Sequence, residues 1–202
     1  MISDAPRAAS VRAMSMEDIG AVIRLQIAFL QGSLVTELGA SFLDQFHRAS
    51  LQHPSMRAFV AVDSRSTVVG FVQASCDVHA FNQHVKPRVM GALARALAAP
   101  ARWRLIPHFA HVLTDREPQP PMPAELLLLV VDASARRQQI GRALVTALEG
   151  AFAAERVSCY RVAVRSHLTV ARAFYLATGF QPEQELSVLG APMTYLTKVV
   201  GE

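Results

Sequence analysis

Hydrophobic and polar positions change period once, sharply, in the second half of this chain. Leu126 to Val131 are six apolar residues in succession, bounded by Pro123 and Asp132. A run that short and without alternation predicts a strand buried on both faces. From Ile140 the apolar positions fall at 140, 143, 144, 147, 148, 151 and 152, a helical stripe that leaves Arg142, Glu149 and Glu155 off it. Strand and helix are joined by a polar loop, Ser134 to Gln139, which carries Arg136 and Arg137 and is closed by Gly141.

Simpler patterns flank this unit. Ser10 to Met14 reads as a strand, and Ser15 with Asp18 makes a capping-box pattern that opens a helix through about Phe29. Ile19, Val22, Ile23 and Leu30 give that helix its apolar face, and Gly32-Ser33 breaks it. A second helix is expected over Thr36 to Leu51, with Leu38, Phe42 and Phe46 at four-residue spacing, ending at His53-Pro54. Ala58–Val62 and Val68–Val72 form a hairpin around the polar turn at 63–66.

Residues 77 to 122 are irregular. Helices are expected over Lys86–Ala98 and Ala101–Leu113, before a Pro-rich connector at 117–123. Beyond the central unit come a strand, Cys159–Val164, and a helix, Thr169–Ala177. Val170, Ala173, Phe174 and Ala177 are that helix's expected core stripe, and Gly179 is placed to end it. Gln184–Leu189 and Met193–Val200 close the chain as an antiparallel pair. The fold class is α/β (α+β), one domain over 1–202 with a partly helical insertion at about 77–122.

Composition narrows the functional classes. A chain of 202 residues, 51% hydrophobic and 18% charged, buries a sizeable core. It holds no apolar run long enough to span a membrane, and its first residues lack a signal-peptide h-region. Two cysteines, Cys76 and Cys159, point to a reducing, cytoplasmic setting rather than a disulfide scaffold. A net charge of +4 suits an anionic ligand, but the basic residues are scattered, which argues against nucleic acid. His108 and His111, with His79 or His84, do not make four convergent ligands, so no metal is expected. Cys159 has no evident acid or base partner, and no Gly-Lys-Ser/Thr occurs, which excludes a P-loop.

What remains is the strand, basic loop and helix start. The first helical N–H groups lack intrahelical partners and carry the positive end of the helix dipole. A phosphate satisfies them, and Gly141 allows close backbone approach.

The loop, Val131-x4-Arg136-Arg137-Gln138-Gln139-Ile140-Gly141-Arg142-Ala143, resembles the Arg/Gln-x-x-Gly-x-Gly/Ala phosphate loop of the GNAT superfamily of acyl-CoA-dependent N-acetyltransferases. Arg136 and Gly141 match its first and last positions. Downstream, Ala171-Arg-Ala-Phe-Tyr175-Leu-Ala-Thr-Gly179-Phe180 is similar to the family's ending, in which Phe-Tyr precedes Gly-Phe. The similarity runs from about Val11 to Val199, outside the insertion. Gln139 stands where the family usually has its first Gly, Leu168 where many members have Asn, and Ala133 where Pro is frequent.

The resemblance implies a mixed, mostly antiparallel sheet with parallel, splayed middle strands flanked by helices. It implies acetyl-CoA as cosubstrate, its pantetheine arm along Leu129, Val130 and Val131 and its pyrophosphate at Arg136, Arg137, Gln138, Gln139, Ile140, Gly141, Arg142 and Ala143. A primary amine then attacks the thioester directly. Glu125 is the expected base, its proton affinity raised by apolar neighbours such as Leu126. An N–H near Leu129 serves the oxyanion, and Tyr175 is the expected acid. The expected acceptor is a small molecule such as an amino sugar, polyamine or amino acid, enclosed by 31–34, 190–192 and the insertion. A homodimer is left open. The rival reading is a non-catalytic acyl-CoA-binding sensor.

Overall fold

The computed structural model describes residues 9–107, 109, 122–188 and 191–201. Among these, seven strands form one sheet in the order β1-β2-β3-β4-β5-β7-β6. β1 (Ser10–Ala13), β2 (Met56–Val62), β3 (Val68–Ser75) and β4 (Glu125–Val131) pair antiparallel in sequence order. β5 (Cys159–Arg165) runs parallel to β4. β7 (Ala191–Val199) lies antiparallel between β5 and β6 (Gln181–Val188).

The parallel pairing is short. Only Glu125↔Arg161 and Leu126↔Val162 are in register, and beyond them β4 and β5 diverge. The sheet therefore splays open along the C-terminal part of β4, as the mixed topology expected from the sequence requires.

Two apolar layers hold this sheet. On one face α1 (Ile19–Phe29), the short α2 (Leu34–Glu37), α3 (Ala40–Leu51) and α4 (Val78–Leu97) enclose Val60, Phe71 and Val130. On the other, α5 (Ile140–Ala154) lays Ile140, Leu144, Leu148 and Phe152 over Val72, Leu126, Tyr160 and Leu196, and α6 (Thr169–Ala177) adds Tyr175. The expected stripe of α5 is thus the buried face, joined by Val145, while Ala143 is exposed.

Several elements differ from expectation, each for a local reason. The helix expected over Thr36–Leu51 is two, because Gly39 at φ 89° turns the backbone between them. α4 begins eight residues before Lys86, because the Asp77 side chain accepts from Ala80 N at 2.9 Å and caps it there. Its residues Phe81, Val85, Val89 and Leu93 are core, so the expected insertion is packed into the first layer. The helix expected over Ala101–Leu113 begins as a 3₁₀ turn, Pro100–Leu105. Residues 108 and 110–121 lie outside the described residues, among them His108, His111 and most of the Pro-rich connector. In α6 the buried face is rotated. Val170 is 84% exposed and Ala173 and Ala177 face solvent, whereas Tyr175 is buried. The sheet meets this helix on the side defined by Ala171 and Tyr175, which its short apolar run could not specify.

The first layer contains a polar thread that periodicity does not show. His47 on α3 has no exposed surface. Its Nδ1 lies 3.1 Å from Gln73 Oε1 and its Nε2 lies 2.8 Å from Gln26 Oε1. Gln26 Nε2 continues to Thr36 Oγ1 at 3.3 Å, so α1, α2, α3 and β3 share one network. Burial lowers the His47 pKa from 6.5 to about 4, holding the ring neutral.

Two consequences are measurable. Between pH 6.5 and about 4 the unfolded chain takes up a proton at His47 that the folded chain refuses. Stability is therefore complete above that window and falls through it, by about 3 kcal/mol at its lower end. Asp18, lowered to about 2 by Arg12, loses its contribution only at still lower pH and leaves this slope unaltered. Urea unfolding at pH 7 and pH 5 is expected to show a lower midpoint at pH 5, with most of the difference abolished in His47→Gln. The second consequence concerns Gly141, where an added Cβ would lie 3.1 Å from two ring atoms of Phe174. Gly141→Ala should cost about 1–3 kcal/mol by overpacking, seen as a lower thermal midpoint, and Phe174→Leu in the same chain should recover part of it.

Candidate active site

The opening between β4 and β5 is built by backbone first. Asp132 N donates to Val69 O at 2.8 Å, and antiparallel alternation then turns the N–H and C=O of Val131 and Leu129 away from β3, toward the side that β5 has left. In agreement, Val131 O accepts from Arg136 Nε at 3.3 Å rather than from a strand. The register passes from Gln73↔Leu128 to Ala74↔Leu126, so Leu127 is the extra residue of a bulge near the closed end of the opening. β4 was expected to be buried on both faces. Only Leu126 and Val130 are, and Leu127, Leu128, Leu129 and Val131 keep partial exposure. The reason is the splay itself, which removes the neighbouring strand.

At the open end, β4 runs into the loop expected to meet phosphates. Asp132 Oδ1 accepts from Ser134 N at 2.8 Å and from Ser134 Oγ at 2.6 Å. These bonds hold the Asp132 carboxyl below its usual range. Arg137 and Gln139 both have φ 62°, and Gln139 directly precedes α5. Left-handed residues in a loop that leads into a helix start expose a concave run of N–H groups, a geometry suited to anions. Gln139, in the place of the family's usual Gly, thus adopts the left-handed conformation that glycine takes freely, at a strain of about 1 kcal/mol.

The loop's side chains have structural roles as well. The Arg136 guanidinium lies 5.1 Å from the centroid of the Phe29 ring at the end of α1. Arg142 Nη2 donates to Ala177 O at 3.3 Å, tying α5 to the end of α6. Gly141, expected to admit a ligand, faces Phe174, so its missing side chain serves helix packing. Ile140 is core, Ala143 is exposed, and Arg137 and Gln138 are exposed in the loop.

Glu125 and Tyr175 sit in different surroundings from those expected. Glu125 does not lie among apolar side chains alone. Its Oε2 accepts from Arg161 Nε at 2.8 Å and from Arg161 Nη2 at 2.6 Å. A guanidinium there favours the ionised carboxylate, the opposite influence to an apolar wall. Arg161 is only 5% exposed. Its guanidinium carbon lies 5.2 Å from the centroid of the Tyr195 ring. Nothing local marks the pair, since its members are 36 residues apart and meet only through the β4–β5 register.

Tyr175, one residue off the stripe expected for its helix, is buried. Its ring packs edge-on against Phe174 at 5.3 Å and Phe180 at 5.1 Å. Burial pushes its hydroxyl pKa well above that of an ordinary phenol, so it keeps its proton at neutral pH. The turn at 31–34 comes to β5, where Arg165 Nη2 donates to Gly32 O at 2.5 Å. Leu168, at the family's frequent Asn position, immediately precedes α6 and is partly exposed. Residues 189 and 190 lie outside the described residues.

Among the described residues no group of three or more His, Cys, Asp or Glu is placed to hold a metal ion. His79 Nε2 lies 2.7 Å from Gln83 Nε2, and the His84 ring lies 4.8 Å from that of His53. Cys76 and Cys159 are both free thiols. No helix among the described residues is long and apolar enough to cross a membrane.

Comparison with known proteins addresses this arrangement directly. The fold is similar to PaiA N-acetyltransferase from Thermoplasma acidophilum, solved with coenzyme A, at 15% identity and TM-score 0.60 over 95% of this chain and 98% of that one. It is similar to the ribosomal-protein-S18-alanine N-acetyltransferase of Escherichia coli, at 13% identity and TM-score 0.59 over 96% and 95% of the two chains. A chimeric spermidine N-acetyltransferase from Vibrio cholerae matches at 12% identity and TM-score 0.61 over 95% of each. No curated protein sequence matches. The sequence profile described as the acetyltransferase (GNAT) family matches residues 26–180. With the splayed parallel pair and the loop before α5 in place, the chain belongs to the GNAT acetyltransferase family.

Proposed function

We propose that this chain is an N-acetyltransferase that moves the acetyl group of acetyl-CoA to a primary amine of a small molecule, by direct attack in a ternary complex. The observation that carries the reading is the opening between β4 and β5, with strand groups turned away from β3 along one side, a loop with left-handed residues at its mouth and Glu125 at its closed end. Leu129, Val130 and Val131 offer the edge for a pantetheine arm, and 136–143 the N–H groups for a pyrophosphate. When bound, acetyl-CoA supplies the activated acyl carbon. A solved neighbour that carries coenzyme A supports the fit. We read the chain as one such domain, extended by the helical segment at 77–122, and two free thiols fit a cytoplasmic setting.

The protein's own groups then divide the work. Arg161 holds Glu125 Oε2 and so orients the carboxylate, and Oε1 is the atom we assign to take the amine's proton, directly or through water. N–H groups at the Leu127 bulge and Leu129 are the donors we assign to the negative charge that develops on the acyl oxygen. Tyr175, kept protonated by burial, is the assigned donor to the departing thiolate. A sensor that binds acyl-CoA without turnover is the second reading, favoured by the Glu125–Arg161 pair, which stabilises the carboxylate against protonation. The acceptors named for the neighbours, a ribosomal-protein alanine and spermidine, support acyl transfer to nitrogen without choosing among acceptors.

Calorimetry is expected to show acetyl-CoA binding, and a thiol-reactive dye to show CoA release once a suitable amine is present. Binding without release across a broad amine panel selects the sensor; no binding removes both readings. Tyr175→Phe is expected to lower kcat by about a hundredfold or more with acetyl-CoA affinity retained. Full turnover in that variant would show that Tyr175 is not the acid. Glu125→Gln should flatten the acidic limb of the pH–rate profile, and an unchanged profile would remove Glu125 as the base.

A further inference from the structure

The transfer reading uses one edge of Arg161 and leaves the other unexplained. Withdrawing a guanidinium from water is costly unless its donors are satisfied. Glu125 satisfies the side edge alone, since Nε and Nη2 both point to Oε2 at 2.8 and 2.6 Å. Arg161 Nη1 is buried and, among the described residues, has no hydrogen-bond partner. Folds seldom retain such a donor without a reason, because each costs about 1–3 kcal/mol. The Tyr195 ring against the guanidinium restrains its plane, so the direction of the unmatched end edge is set by packing.

The charge around it narrows the ligand. Tyr160, Val162 and Val164 of β5 face the α5 layer, so Arg161 and Arg165 share the opposite face of that strand. Arg165 reaches the α1–α2 turn at Gly32. Among the described residues of β4 and β5, this side of the opening therefore carries Glu125, Arg161 and Arg165, two cations and one anion. A polyamine would bring further ammonium groups against two guanidiniums. An acceptor with an amine for Glu125 and a carboxylate for Arg161 completes the set. The end edge of a guanidinium, with two parallel N–H groups, matches a carboxylate in a two-bonded fork. Arg161 Nη2 also touches Glu125, so the acceptor's amine and carboxylate must be close neighbours in its skeleton.

We propose that Arg161 is an acceptor-recognition residue and that the acceptor is a free α-amino acid, its carboxylate held by the Nη1 edge of Arg161 while its amine lies at Glu125. The proposal rests on the transfer reading above and names the substrate class of that site. The amine nitrogen forms a bond to the acetyl carbonyl carbon as the carbon–sulfur bond breaks. The amine's proton passes to Glu125, the thiolate takes one from Tyr175, and the products are an N-acetyl amino acid and CoA.

The test measures thiol release by the full chain with saturating acetyl-CoA. The acceptors are α-amino acids, the amines left by removing their carboxylates, their α-carboxamides, dipeptides and spermidine. The amino acids are expected to exceed the matched amines and carboxamides in kcat/KM by about tenfold or more. Arg161→Lys keeps a cation for Glu125 but loses the fork. With folding verified by circular dichroism and acetyl-CoA binding by calorimetry, it is expected to bring that ratio close to one. Equal or better use of the bare amines overturns the proposal and leaves acyl transfer standing. Preference for dipeptides assigns the site to peptide N-termini and overturns it too, as does an unchanged ratio in Arg161→Lys. Acetyl-CoA binding with no thiol release from any acceptor removes this proposal and the transfer reading together.

Discussion

Everything distinctive in this structure depends on the brevity of one contact, the parallel pairing of β4 with β5. Two residues of each strand are in register before the strands part. A sheet that parts leaves backbone donors and acceptors unpaired, a cost that a fold sustains only where something else can meet them. Here the parting strand continues into a loop with left-handed residues at Arg137 and Gln139 and then into a helix start. Strand groups turned away from β3 and the loop's N–H groups therefore follow each other along one path.

The closed end of the same opening obeys a different rule. Where β4 and β5 do pair, they bring a carboxylate and a guanidinium face to face in a place with little water. Such a pair contributes little net stability, since desolvation offsets attraction. Its value lies in placing two opposite charges at a defined separation. The His47 network handles burial in the contrasting way, by keeping the ring uncharged between two glutamine side chains. One layer of the protein thus keeps its polar core neutral. The closed end of the cleft instead keeps a charged pair with, among the described residues, one donor unmatched.

Glycine and its absence make the same point on a smaller scale. Gly141 fits the family's phosphate-loop pattern, but the space it leaves is taken by Phe174. Gln139 departs from that pattern, yet its backbone follows the left-handed path that glycine favours. The identity of a residue in a motif and the physical reason for its place there are separate matters, and only neighbouring atoms distinguish them.

The elements of the sheet and most helices were legible in the sequence because local rules set them: the apolar run of β4, the stripe of α5, the Ser15–Asp18 box at the start of α1. The loop Arg136–Ala143 and the Phe174-Tyr175 ending were legible as a family pattern. Tertiary structure decided the rest. Which side of α6 is buried, whether Arg161 faces water, and what stands beside Glu125 all follow from strand order and register. Those are long-range pairings that no window of neighbouring residues encodes. By itself the sequence determined an α/β chain with a basic turn between a buried strand and a helix; the splay of two strands decided where a cleft opens and which charges line it.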